Sequence, residues 1–316
     1  MFSIFPITEN GFDKIIMRSD TSTVEIVPNC GGILNAWHIK RENDLEVNVI
    51  EGYENEQDFR ENCEAKGFRS AKLSPFVCRM KEGKYELGTK NYQIEKFFLN
   101  GHAIHGLVYD APFERVHQQI DSTGAVLQLE YCYAGTDKGY PFQFTIMLEY
   151  ILQSNNLLTL NTYVLNQHNE PIPIADGWHP YFQLGESIEP LLFSMESHQL
   201  VEFDETLVPT GNLLEYNKFQ QPEMIGDTFL DNCFKLNSPN VEACSLENKD
   251  LGLKLLIFAN EAYPFLQVYT PPSRKSIAIE NLSSVPDSFN NNIGLMYLQP
   301  NHRQHFSASY QIQETR

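Results

Sequence analysis

Hydrophobic and polar residues alternate with a period of two along much of this chain. In "AVLQLEYCY" the set Ala125, Leu127, Leu129, Tyr131 and Tyr133 points one way while Gln128 and Glu130 point the other, which predicts a strand with one buried face. "PFQFTIMLEYIL" repeats the pattern with Phe142, Phe144, Ile146, Leu148 and Tyr150. "SNN" then interrupts it, and "LLTLNTYVLN" resumes with Leu158, Leu160, Thr162 and Val164, so the two runs predict an antiparallel hairpin. "GLKLLIFAN", "PFLQVYTPP", "KSIAIENLS" and "HFSASYQIQ" predict further strands, separated by Gly, Pro, Asn and Asp clusters. Helical periodicity is scarce, and its best candidate is the charged stretch 55–67, "NEQDFRENCEAKG". Many short strands without a βαβ rhythm predict an all-β sandwich or barrel. With no internal repeat, low-complexity linker or composition shift, residues 1–316 are expected to form one continuous β domain.

Composition narrows the partners. The 316 residues are 42% hydrophobic and 12% aromatic, as in a folded protein, and 41 acidic against 23 basic residues give a formal charge of -18. That field repels nucleic-acid phosphate and anionic membrane surfaces, so neither is an expected partner and a small molecule is. The N-terminal "MFSIFPITENGFDKIIM" lacks the pattern of a secretory signal, and no apolar run approaches membrane-spanning length. The six cysteines form no CxxC pair, which fits free thiols in a reducing cytoplasm. Asn281-Leu282-Ser283 matches a glycosylation sequon by its letters and carries little weight without an export signal.

Five stretches can carry chemistry. In "ADGWHPYFQL" Pro180 biases His179 toward extended geometry and ends ladder pairing, so the imidazole is expected at a strand end beside a cleft. "SPFVCRMKEGKYEL" holds Arg79, "NGHAIHGLVYD" holds His102 and His105, "GDTFLDNCF" holds Asp231, and "SIAIENLSSVPDSFN" holds Glu280. Each has a plain structural alternative: a surface cation, satisfied histidines, a turn-capping aspartate, a solvent-facing glutamate. His102 and His105 lie three apart, yet no HExxH, Cys/His ligand set or acidic calcium loop accompanies them, so no metal is expected. In "SIAIEN" the alternation places Ile277 and Ile279 on one face and Ala278 and Glu280 on the other, near a strand end.

Taken in order, Arg79 in "VCRMKEGKYEL", His105-Gly106 in "IHGL", His179 in "GWHPYFQL", Asp231 in "LDNCF" and Glu280 in "IENLSSVPDSFN" resemble the aldose 1-epimerase, or galactose mutarotase, family. The likeness runs from about residue 20 to the closing "YLQPNHRQHFSASYQI". It implies a single large β-supersandwich with few short helices, acting without a cofactor on a free aldohexose, as a monomer or a homodimer. It further implies Glu280 as catalytic base, His179 as general acid, and Arg79, His105 and Asp231 as substrate-binding residues. In such a reaction the carboxylate would be ionised and the imidazole protonated before the ring opens, with Trp178 or Tyr181 either stacked on the sugar or part of the core. Two departures bear on substrate: Leu107 stands where the family often has a second glycine, and "DGWHPYF" where it often has Asn-x-His-x-Tyr-Phe. The alternatives are a glycosidase, which needs two catalytic carboxylates, a non-catalytic carbohydrate-binding protein, or an epimerase of hexose 6-phosphates, for which Arg274 and Lys275 could supply cations.

Overall fold

The alternating segments form strands. The computed structural model describes residues 1–41 and 45–315, and its largest sheet has nine strands. Gly124–Tyr133, Phe144–Gln153 and Leu157–Asn166 lie side by side in it, the last two as the expected hairpin, with Glu114–Ile120 on the outer edge. Arg303–Glu314 is inserted between Leu157–Asn166 and Leu253–Ala259, and Glu242–Asn248, Leu192–Met195 and Glu223–Met224 complete the sheet. Most of the predicted inward set behaves as its period requires: Leu127, Leu129, Ile146, Leu148, Tyr150, Leu158, Leu160 and Val164 are buried, while Tyr131 is half-buried. Each fully buried Leu, Ile or Phe of this kind contributes about 1.5–3 kcal/mol.

An eight-stranded sheet faces it. The order is Pro209–Glu215, Gln199–Phe203, Asp231–Lys235, Phe265–Tyr269, Ile277–Leu282, Gly177–His179 and Ala71–Leu73, with Tyr181–Phe182 also paired to Ile277–Leu282. Its inner face packs on the nine-stranded sheet: Leu266, Val268, Ile277, Ile279 and Trp178 share one core with Ile146, Leu148 and Tyr150. Its outer face is partly covered by a second apolar cluster that includes Phe59, Phe68, Cys78, Ile104, Cys233 and Leu282. Strands covered on both faces read as continuous apolar runs, and every residue of Ile277–Leu282 is buried. Five antiparallel strands from Ser3–Glu9 to Glu46–Asn48 form a further sheet.

The helical expectation over 55–67 shortens to Glu56–Asn62, where the Asn55 side chain accepts from the Asp58 N–H at 2.8 Å as an N-cap. A four-residue helix, Ser288–Asn291, has no counterpart in the sequence reading. All six cysteines are free and only Cys132 is exposed. Asn281 of the sequon is buried, its side chain accepting from the Tyr310 hydroxyl. Among the described residues no helix is long and apolar enough to cross a membrane.

Candidate active site

The outer face of the eight-stranded sheet carries the cleft. In an antiparallel ladder, residues opposite one another project to the same side. Gln267 lies opposite Glu280, and Asp231 opposite Tyr269. The pairing of Gly177 with Leu282 continues this register and brings His179 level with Glu280. The result is a contact of 3.2 Å between His179 Nε2 and Glu280 Oε1, with the side chains only 6% and 2% exposed. Glu280 thus sits inside a strand rather than at its end, while His179 does end its strand, at Pro180.

Two further residues reach the cleft from the segments covering the sheet. Arg79 pairs with Ile104 in a small three-stranded sheet, and its carbonyl accepts from the Asp287 N–H at 2.6 Å. His105 follows Ile104 with φ of +62°, and Gly106 has φ of +76°, so two consecutive residues occupy left-handed backbone. This kink turns the His105 ring edge-on to that of His179, with centroids 5.0 Å apart, and packs it on Phe68 at 4.7 Å. Only glycine fits the second position, because a Cβ on Gly106 would lie 2.2 Å from the Ser74 carbonyl oxygen. Gly106→Ala is therefore expected to lower stability by at least about 1–2 kcal/mol, read as an earlier denaturant midpoint.

All five predicted site residues, Glu280, His179, Arg79, His105 and Asp231, line one cavity of about 490 Å³. Burial governs their electrostatics. It pushes the Glu280 carboxyl well above its ordinary value, with Asp231 adding to the rise and the Cys78 thiol and Arg79 opposing it. It draws the His179 imidazole down to about 4 and lowers His105 well below the usual histidine value, His179 and Arg79 reinforcing the latter. The Asp231 carboxyl is raised by burial, against the pull of Arg79 and of Gln267. The expected pairing of an ionised Glu280 with a protonated His179 is opposed on both sides by desolvation. Desolvation thus favours the neutral forms of both side chains over an ion pair, although Glu280 Oε1 and His179 Nε2 are in contact.

Gln267 was not anticipated. In "PFLQVYTPP" it reads as the outward residue of an ordinary alternation, yet it is 5% exposed, lines the cavity and donates from Nε2 to Asp231 Oδ1 at 2.8 Å. Its Oε1 has no protein partner. Cys78 was likewise missed; its thiol donates to Glu280 Oε2 at 3.9 Å.

Trp178, Arg274 and Lys275 fall outside the cleft, and Tyr181 inside it. Trp178 cannot stack on a cleft ligand, because alternation sends it to the opposite face from His179, into the core against Tyr150 and under the Lys72 ammonium. Tyr181 does line the cleft, but its ring lies parallel to that of His179 at 5.2 Å and its hydroxyl donates to the Gly67 carbonyl at 2.9 Å. Arg274 and Lys275 do not line the cavity; Arg274 donates to the carbonyls of Gly226 and Thr228 instead. His102 stands apart from His105, its Nδ1 accepting from the Glu82 N–H at 3.1 Å. Among the described residues no group of three or more His, Cys, Asp or Glu side chains is arranged to hold a metal ion.

Known proteins of similar sequence and shape agree with one another. A sequence profile of the family described as Aldose 1-epimerase matches residues 13–311. The chain is 25% identical over 238 residues to an uncharacterised protein of Escherichia coli, YihR, spanning 72% of this chain and 73% of that one. It is 23% identical over 222 residues to galactose mutarotase of Sus scrofa, spanning 67% of this chain and 60% of that one. A galactose mutarotase-like protein from Clostridium acetobutylicum has the same fold, with a TM-score of 0.86 at 18% identity over 99% of both chains. Galactose 1-epimerase from Lactobacillus acidophilus has a TM-score of 0.81 at 18% identity, over 100% of this chain and 99% of that one.

Proposed function

The chain belongs to the aldose 1-epimerase family and is an isomerase acting on carbohydrates, and from that premise we propose that Glu280 and His179 interconvert the α and β anomers of a free aldohexose. The observation that carries this reading is the 3.2 Å contact between the nearly buried His179 Nε2 and Glu280 Oε1, both lining the cavity. Ring opening removes a proton from the anomeric hydroxyl and adds one to the ring oxygen. Both oxygens are bonded to the same carbon, so a donor and an acceptor held side by side can serve both. The C1–O5 bond breaks, the aldehyde turns about C1–C2, and closure on its other face reverses both transfers. No electrons leave the sugar and the protein regains its starting state.

Glu280 takes the O1 proton while His179 protonates O5, which needs one proton on the pair. Burial favours one proton on the pair at neutral pH, and its passage from Glu280 to His179 across their 3.2 Å contact yields carboxylate and imidazolium as the substrate's oxygens replace lost solvation. Asp231 and Gln267 accept from sugar hydroxyls, and Arg79 and His105 donate to sugar oxygens, aligning the ring. Free rather than phosphorylated sugars fit the charges: of the cavity's three Lys and Arg side chains, Lys66 is bonded to Asp58 at 2.6 Å and Arg69 to Glu51 at 2.6 Å, and the third, Arg79, acts on the Asp231 and Glu280 carboxyls. A phosphate entering there would also face Glu280, Asp231 and Glu64.

The direct test is anomer exchange on a panel of free aldoses, followed by magnetisation-exchange NMR and corrected for spontaneous mutarotation. Finding no acceleration with any of them would refute the reading. The proton count also predicts the pH profile. Activity needs one proton on the pair, so kcat/KM should stay level between the two limits at which that proton count changes. It should fall on the acid side as the imidazole gains a second proton, near about pH 4. On the alkaline side it should fall only well above the ordinary carboxylate range, as the raised Glu280 carboxyl ionises. An acid limb at the usual histidine value would contradict this account.

A further inference from the structure

We propose that Tyr181 is the positioning residue of His179, its ring closing one face of the imidazole to water and fixing its plane against Glu280; this rests on the epimerase reading above. The backbone sets the geometry. His179 ends one short strand and Tyr181 begins the next, so the two side chains, two residues apart, project to the same side and both line the cleft. Pro180 between them has its φ fixed by its own ring. Each neighbour is pinned separately: the His179 carbonyl accepts from the Ser70 N–H at 2.8 Å, and Tyr181 pairs with Ala278 on the strand that carries Glu280. The two rings lie parallel to within 9°, and Tyr181 is almost wholly buried.

A working imidazole is commonly oriented by a hydrogen bond on its second nitrogen, but Nδ1 of His179 has no protein partner. Orientation therefore falls to the rings. Tyr181 covers one face at 5.2 Å, the His105 ring meets the imidazole edge-on at 5.0 Å, and Glu280 contacts Nε2 at 3.2 Å. The Tyr181 ring is anchored at its far end, where its hydroxyl donates to the Gly67 carbonyl at 2.9 Å. A Cβ on Gly67 would lie 2.3 Å from that hydroxyl oxygen, so glycine leaves the room it needs. Burial, reinforced by Glu280, holds the phenol well above its ordinary value, and it keeps the proton it donates. The ionisable groups around the imidazole are Glu280, His105, Arg79 and Asp231, with the Arg69–Glu51 pair beside Tyr181. Burial, rather than any of these, is what draws His179 down to about 4. Removing the Tyr181 ring opens a space continuous with the cleft, which water can fill, and leaves every one of those charges in place.

The experiment follows the His179 ring by proton–nitrogen NMR against pH in the sugar-free protein, its resonance identified by its loss in His179→Asn. Anomer exchange of the fastest aldose of the panel is measured alongside. Tyr181→Ala should raise the pH at which His179 titrates by about one to two units from about 4. The acid limb of kcat/KM should rise with it, and kcat should fall by about 10- to 100-fold with little change in KM. Tyr181→Phe keeps the stacked ring, so it should titrate as the parent does and recover most of kcat. If the Ala variant does not fold, Tyr181→Leu takes its place with the same direction expected, because leucine keeps apolar volume without a flat face. The proposal is overturned if His179 titrates in the Ala or Leu variant where it does in the parent. A kcat lost with the acid limb unmoved would mean a structural loss alone, and a Phe variant as impaired as the Ala variant would move the role from ring to hydroxyl; either result also overturns it. Absence of exchange with every aldose would remove the epimerase reading and the catalytic part of this one, while the titration, read without sugar, still decides the shielding.

Discussion

Glu280→Gln is expected to slow anomer exchange by roughly 10²–10⁴-fold, the usual worth of a positioned acid or base. The amide keeps the shape and the contact with His179 but cannot take the O1 proton. The variant should still bind sugar, so calorimetric affinity retained alongside a lost rate separates an enzyme from a binding protein. It should also be more stable than the parent at neutral pH. The Glu280 carboxyl ionises near its ordinary 4.5 in the unfolded chain but only at much higher pH in the cleft. The stability it contributes is complete below 4.5 and is lost as pH rises toward the folded value. The melting temperature of the Gln variant should therefore draw ahead of the parent's as pH is raised from about 5 to 8. A Gln variant with the parent's exchange rate would displace Glu280 from the mechanism.

The largest stability effect is expected beneath the site. Lys72 and Asp176 form a fully buried ion pair, with Asp176 Oδ1 also accepting from the Tyr263 hydroxyl at 2.6 Å. Lys72 Nζ donates to the Gly177 carbonyl at 3.0 Å and lies 4.5 Å from the Trp178 ring centre. Asp176 in turn ties the two catalytic strands together, its N–H donating to Ser283 Oγ at 2.8 Å and its carbonyl accepting from the Ser283 N–H at 2.9 Å. Lys72→Met would leave Asp176 buried without its cation, at a cost of about 3–5 kcal/mol. The double change Lys72→Met with Asp176→Leu should recover much of this, because no charge is then stranded. Denaturant midpoints of the two variants decide the matter: equal losses would show that the pair itself, rather than the orphaned carboxylate, carries the stability.

Legibility from sequence followed the range of the interaction. Strands were legible because their signal is local, and the alternation in "AVLQLEYCY" and "PFQFTIMLEYIL" needed only neighbours two residues apart. Glu280 and His179 were legible as chemical types in unusual settings, and the family resemblance drew them together across a separation of 101 residues that no periodicity spans. Gln267 was not, since a polar residue in an alternating strand looks solvent-facing until the covering layer of Phe68, Ile104 and their neighbours is known. Lys72 was missed for a similar reason: "SAKLSPF" gives no hint that its lysine turns inward to a carboxylate 104 residues away. Trp178 could have been placed correctly, because an adjacent residue in a strand must face away from His179.

The position of Arg303–Glu314 also bears on how the protein is made. This strand is interior to the nine-stranded sheet, hydrogen-bonded on both sides by segments translated long before it. While a ribosome is still producing it, the two halves of that sheet have unfilled edges facing each other, and the catalytic strands lack their full backing. Enzymatic competence should arise only after residue 314 has left the exit tunnel, and nascent chains stalled short of it are the species that need chaperone protection.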